Sequence, residues 1–151
     1  MKITASEMAK YLLRYFWDKN QPISNLKLQK LLYYCQGWHL GISKSPIFHE
    51  QIQAWIHGPV VPSVFQEYRQ FRWSPIVIDT GKAIRLPASS AALVDAVLVA
   101  YGDFTATQLE QLSHGEDPWK FARQGIAADC PCTREITHAS MREYFAHLAG
   151  E

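Results

Sequence analysis

The stretch that most constrains the fold is a helix whose side chains are apolar on two faces. Residues 25–40 follow Ser24, which suits a helix N-cap, and Gly41 can end the helix. The apolar side chains form two stripes, one of Leu28, Leu31, Leu32, Cys35 and Trp38, and one of Leu26, Tyr33 and Leu40. A helix that is apolar nearly all round belongs at the centre of a bundle. Its remaining wedge, which we expect to be exposed, consists of Lys27, Lys30 and Tyr34.

The rest of the chain predicts further helices and one small hairpin. Two capping boxes, Thr4 with Glu7 and Thr105 with Gln108, begin helices. Other helical patterns cover about residues 64–71, 90–101, 117–124 and 138–148. Asp117 is the predicted N-cap of the third of these and Thr137 that of the fourth. A β-hairpin is predicted for residues 75–86, where two apolar runs flank the turn sequence Asp-Thr-Gly-Lys. We find no repeat or linker. The sequence therefore predicts a mainly α fold, a single compact helical domain over residues 1–151 around a central buried helix.

Ala54–Pro62 predicts a rigid corner. Gly58 can adopt backbone angles that other residues avoid, and Pro59 fixes its own φ and restricts the residue before it. Pro62 suits the first turn of a new helix. Trp55 and His57 precede this corner. We interpret Trp55 as a core anchor in preference to a partner contact, because tryptophan is highly buried on average.

Composition excludes several classes of protein. The net charge is +1 and the pI is about 7.8, so no bulk attraction to nucleic acid or to a membrane is expected. No apolar run approaches membrane-spanning length, and the first residues lack the apolar segment of a signal peptide. Three cysteines, an odd number, argue against a disulfide framework. These features predict a cytoplasmic protein with reduced thiols.

Catalytic and metal-binding patterns are absent from the sequence. His57, His114 and His138 are scattered, and Cys130 and Cys132 form one pair without a second. We find no nucleophile elbow, activated cysteine or phosphate-binding glycine loop. The sequence therefore predicts a protein that is not an enzyme and needs no metal or other cofactor.

Nucleic-acid binding is an alternative. The first two helices, joined by a short turn, could form a helix-turn-helix in which Lys27, Lys30 and Tyr34 face a phosphate backbone. The apolar character of the second helix and the near-neutral charge disfavour this interpretation, because a groove-reading helix must be accessible.

The turn Ser113–Trp119 carries polar residues beside a tryptophan. Trp119 could anchor a protein interface, since tryptophan is enriched among the residues that dominate binding energy. The alternative is a helix-capping turn that inserts Trp119 into the core. His114 would lie beside the tryptophan in either case.

Three blocks together resemble the Panacea domain family, whose members are also described as SocA-like or phage-associated GepA-like proteins. They are Asn25–Tyr34, Ala54–Pro62, and Ser113-His114 with Pro118-Trp119. The resemblance runs from about Thr4 to Phe145. Ile56-His57 departs from it, standing where a more basic or tyrosine-containing pair is common, and Cys130-Pro131-Cys132 is not a hallmark of the family.

The resemblance implies an antitoxin of a bacterial or prophage toxin–antitoxin pair. Its partner would be a cognate protein toxin encoded by a neighbouring gene, which it would neutralise by direct binding. The SocA-like branch also implies an alternative, a proteolytic adaptor that delivers its toxin to the ClpXP protease. Residues expected to contact the partner are Lys27, Lys30, Tyr34, Trp55, His57, His114 and Trp119, while Gly58, Pro59 and Pro62 would be structural.

Overall fold

Helix α2 (Asn25–Ser43) is the central element of the computed structural model, which describes residues 3–78 and 81–151. Around it lie the helices α1 (Ala5–Asp18), α3 (Pro62–Tyr68), α4 (Ala88–Tyr101), α5 (Ala106–His114), α6 (Asp117–Arg123) and α7 (His138–Leu148). A 3-10 turn, Arg69–Phe71, extends α3. A small antiparallel sheet has the order β2-β1-β3 and consists of β1 (Ile52–Trp55), β2 (Gly58–Val60) and β3 (Glu135–Ile136).

Capping chemistry sets most helix starts as predicted. The Thr4–Glu7 and Thr105–Gln108 capping boxes are both formed, and Thr137 caps α7. Two starts differ. Helix α4 begins at Ala88 and not at Ser90, and the N-cap of α6 is Glu116, with Asp117 as its first helical residue.

The central position of α2 is confirmed. It contacts α1, α3, α4, α5, α7 and β2, and its side chains are buried on nearly every side. Gly41 does not end this helix, because Lys44 takes the left-handed conformation that closes it, at φ 62°. Gly37 and Gly41 instead lie against α7, where an added Cβ would come within 2.2 Å and 2.7 Å of Phe145 side-chain atoms. The glycines therefore permit the close approach of the two helices.

A small β-hairpin accompanies the helices, as the predicted fold class has it, but the prediction that residues 75–86 form it is wrong. Strands β1 and β2 form it, with Trp55 paired to Gly58 across the turn Ile56-His57. Around the predicted hairpin, residues 76–78 and 81–87 form no strand, and Asp79 and Thr80 lie outside the described residues. Pro75 instead forms an isolated bridge with Ser24. A lone two-stranded hairpin is marginally stable, whereas β1 gains a second partner in β3.

Within residues 3–78 and 81–151, no helix combines the length and the apolar character needed to cross a bilayer.

Candidate functional site

Side chains of α2 and α6 form hydrogen bonds with the backbone of the β1–β2 hairpin. Gly58 has φ 103°, and a Cβ there would lie 2.6 Å from Lys30 Cε, so both conformation and space require glycine. Pro59 lies in the edge strand β2, where its missing N–H is tolerated. Pro62 begins α3, as predicted. The corner expected from the sequence is thus a hairpin that leads into a helix.

Lys30 is fully buried under this hairpin. Its Nζ donates to the Pro59 carbonyl oxygen at 3.0 Å. Burial disfavours the charged ammonium and lowers the Lys30 pKa to about 7, and the nearby Glu110 carboxylate offsets part of this effect. The neighbouring Gln29 accepts a hydrogen bond from Val61 N at 2.9 Å through its Oε1. Helix α2 therefore holds the middle of β2 and the residue that follows the strand.

Trp119 and Arg123 hold the preceding strand from α6. Trp119 Nε1 donates to the Trp55 carbonyl at 2.8 Å, and Arg123 Nη1 donates to the Ala54 carbonyl at 2.9 Å. The Arg123 guanidinium lies 4.5 Å from the centre of the Trp119 ring. His114 stacks on the same indole at 4.1 Å. Trp119 is buried, as expected for a residue that plugs a capping turn into the core.

The prediction that Lys27, Lys30 and Tyr34 form an exposed wedge is wrong. Lys30 and Tyr34 are fully buried, because β2 and α5 pack against α2 and the rings of Tyr101 and Phe145 pack against Tyr34. Lys27 is half-buried and its Nζ donates to the Gly102 carbonyl at 2.6 Å. The helix-turn-helix alternative thus loses two of its three phosphate-facing side chains.

Glu116 accepts the hydroxyls of two buried tyrosines. Tyr33 and Tyr34 donate to Glu116 Oε1 at 2.9 and 3.1 Å. Burial raises the pKa of Glu116 to about 7, although both hydrogen bonds favour its charged form. This carboxylate joins the middle of α2 to the start of α6 and so fixes the helix that holds β1.

We predict that Lys30 makes the stability of the protein rise with pH. Its pKa is about 7 in the folded protein and has an ordinary value of 10.5, so the unfolded chain binds more protons in this interval. The contribution of Lys30 to the free energy of unfolding should then increase between about pH 7 and pH 10.5, by up to ~1.4 kcal/mol per pH unit. Urea denaturation across this range measures the slope, and Lys30→Met should remove it.

Glu116 provides the control, because its pKa is shifted in the direction that gives the opposite slope. Its pKa of about 7 in the folded protein exceeds the ordinary 4.5. The stability that Glu116 contributes is therefore present below pH 4.5 and is lost as the pH rises to about 7. Glu116→Gln should flatten the stability profile in this lower window and leave the upper one unchanged. A wild-type profile that is flat above pH 7 would contradict the burial of a lysine ammonium.

The outer side of the hairpin forms one wall of an open groove of about 460 Å³, which we call the hairpin groove. Helix α2, α3, the 3-10 turn and the two residues that follow this turn supply the rest. Its apolar lining consists of Leu26, Trp55, Ile56, Val60, Phe65 and Trp73, and its polar lining of Asn25, His57, Arg69 and Arg72. Trp55 is half-buried, not fully in the core, and packs edge-on against Phe65. His57 is exposed at the hairpin tip.

Five of the seven predicted contact residues are brought together around the hairpin. Lys30 and Trp119 lie beneath it, His114 stacks on Trp119, and Trp55 and His57 belong to the hairpin itself. Tyr34 and Lys27 lie further toward α4, where Tyr34 stacks on Tyr101. Sequence reasoning missed Arg123, Glu116 and the exposed Trp73. For Trp73, the only local signal was its place in the segment Arg69–Trp73, which also contains two arginines.

Among the described residues, no three His, Cys, Asp or Glu side chains gather closely enough to hold a metal ion. Cys35 and Cys132 are buried free thiols, and Cys130 is an exposed one.

Comparison with known proteins identifies the family. The family model "Antitoxin SocA-like, Panacea domain" matches residues 28–120, a range that contains the hairpin, Lys30 and Trp119. Antitoxin SocA of Caulobacter vibrioides (strain NA1000 / CB15N) is 32% identical over 119 residues, which cover 69% of this chain and 62% of that relative. No solved structure matches the chain significantly. The resemblance seen in the sequence blocks is confirmed, and the chain belongs to the antitoxin SocA-like, Panacea domain family.

Proposed function

We propose that this protein is an antitoxin that neutralises a cognate protein toxin by binding it directly, without catalysis. The observation that carries the proposal is the family match together with the 32% identity to Antitoxin SocA. A rigidly supported hairpin beside an open apolar groove is compatible with protein binding, since interface anchors are typically aromatic side chains in such clefts.

The predicted contact residues divide by their position. Trp55 and His57 reach the surface and would touch the toxin. Lys30, His114 and Trp119 would act through the hairpin they support, because their side chains are largely enclosed. Lys27 and Tyr34 would stabilise the helical frame.

Co-expression tests the proposal. The product of the adjacent gene, expressed alone, should arrest bacterial growth, and simultaneous expression of this protein should restore it. The two proteins should also co-purify as a complex, because neutralisation by binding requires one. An adjacent product that is harmless alone, or rescue without any complex, would contradict direct neutralisation.

The same assay distinguishes the alternatives. Rescue in a strain lacking ClpXP excludes delivery to that protease as the sole mechanism, whereas rescue that requires ClpXP favours the adaptor. A DNA-binding regulator would instead shift its own promoter DNA in a salt-dependent manner.

A further inference from the structure

We propose, resting on the antitoxin role above, that the hairpin groove receives an acidic segment of the toxin that inserts bulky apolar side chains. The groove has a volume of about 460 Å³. Clefts that bind ligands span roughly 300–1,000 Å³, so this space suffices for large side chains from one segment.

The apolar wall of the groove is preformed. The Trp55 and Phe65 rings meet edge to face with their centres 5.1 Å apart. Trp55 Nε1 donates to Gln53 Oε1 at 2.8 Å, which fixes the orientation of the indole. The Phe65 carbonyl accepts a hydrogen bond from Asn25 Nδ2 at 3.1 Å, which ties α3 to the start of α2. A partner would therefore meet a wall that needs little ordering, which favours affinity.

The charge at the groove is positive. Of the residues that the structure describes, Arg69 and Arg72 line it and no aspartate or glutamate does. Among the described residues, neither guanidinium lies within 4.0 Å of a carboxylate, and Arg69 donates only to Gln66 Oε1. Two arginines without carboxylate partners beside an apolar cleft complement a segment that carries Asp or Glu next to its apolar side chains.

Trp73 projects from the edge of the groove and is 80% exposed. The preceding Arg72 has φ 53° and ψ −117°, a conformation that is unfavourable for any residue other than glycine. A strained turn thus presents an arginine and a tryptophan side by side at the edge of the groove. Both residue types are enriched among binding hot spots.

The experiment measures binding of the purified product of the adjacent gene to wild-type protein and to groove variants. Trp73→Ala should weaken binding by at least about 30-fold, the level of a hot-spot residue. The double variant Arg69→Glu/Arg72→Glu should associate more slowly and bind at least about tenfold more weakly. Added salt should weaken binding of the wild type but not of this variant. Growth rescue should fail in parallel.

Phe121→Ala and Lys120→Glu serve as matched controls, because both side chains are exposed on α6 outside the groove. They should leave binding unchanged. The groove residues altered are exposed, so circular dichroism and melting temperature should match wild type. Arg72→Gly adds a further check, since glycine accepts this backbone conformation: it should weaken binding without lowering the melting temperature.

Each outcome has a distinct meaning. If wild type neutralises the toxin and the groove variants do so equally, the groove assignment is wrong and the antitoxin role stands. Tighter binding by the double glutamate variant would overturn the acidic character of the partner. A dimer of this protein alone that Trp73→Ala disrupts would show that a second copy occupies the groove. If wild type binds no neighbouring product, the groove proposal falls together with the antitoxin role.

Discussion

Replacing Phe145 with alanine is expected to lower the free energy of unfolding by about 3–5 kcal/mol. The ring is fully buried between α2 and α7, with its centre 5.7 Å from that of Tyr33 and 5.2 Å from that of Trp38. Alanine would leave a cavity at the most extensive helix–helix contact of the fold. Urea denaturation measures the loss. Leu148→Ala, at a half-exposed position in the same helix, should cost much less.

The same ring decides the effect of a second substitution. Gly37→Ala should gain ~1 kcal/mol of helix propensity, but its Cβ would lie 2.2 Å from Phe145 Cε2. Overpacking costs about 1–3 kcal/mol, so the single variant should be destabilised. In the Phe145→Ala background the clash disappears and Gly37→Ala should become stabilising. Stabilisation in both backgrounds would show that α7 does not press on Gly37.

Arg123→Met is expected to destabilise the protein by about 3–5 kcal/mol. The side chain is buried, and it donates to the carbonyl oxygens of Ala54, Ala127 and Cys130. Methionine retains part of the apolar packing but leaves these acceptors without their donor, and unpaired buried acceptors are costly. Thermal and urea denaturation measure the loss, and binding of the proposed toxin should weaken with it because Arg123 supports β1.

Two controls separate geometry from charge at this position. Arg123→Lys keeps the charge but lacks the planar fork that reaches several carbonyls, so it should restore little stability. Lys120→Ala removes an exposed charge from the same helix, where the pair with Asp117 at 3.8 Å contributes at most about 1 kcal/mol. Full recovery with lysine would show that charge alone matters at Arg123.

The local signals in the sequence predicted most of the helices. Thr4, Ser24, Thr105 and Thr137 cap helices as expected, because an N-cap depends on residues within one turn of each other. The central helix was also predictable, since its two apolar faces require neighbours on both sides. These features depend on nearest neighbours along the chain.

The hairpin and the burial of Lys30 depend on distant residues and were not predictable in this way. The turn Ile56-His57 lacks the Asn-Gly or Asp-Gly sequence that marks tight hairpins, and β1 is stabilised by β3, about eighty residues further along the chain. Lys30 is buried because β2 supplies a carbonyl for its ammonium. Helical periodicity places a lysine on a face but cannot show what covers that face.

The candidate site was predicted in part. Its hairpin residues and Trp119 stood out through glycine, proline and tryptophan. Arg123 and Glu116 resemble ordinary surface charges in the sequence, and their roles depend on carbonyls and hydroxyls contributed by other elements.

The residues that anchor the hairpin differ from the residues that form its outer surface. The side chains that anchor the hairpin all form hydrogen bonds with main-chain atoms. These are Lys30 with Pro59, Gln29 with Val61, Trp119 with Trp55, and Arg123 with Ala54. Every amino acid carries the same main chain, so the outward side chains at 55–57 are free to change without loss of this anchorage. If the hairpin contacts a toxin as we propose, substitutions at 55–57 would change which partner is bound while the four anchoring residues stay the same. Partner choice and folding would then be encoded in different positions.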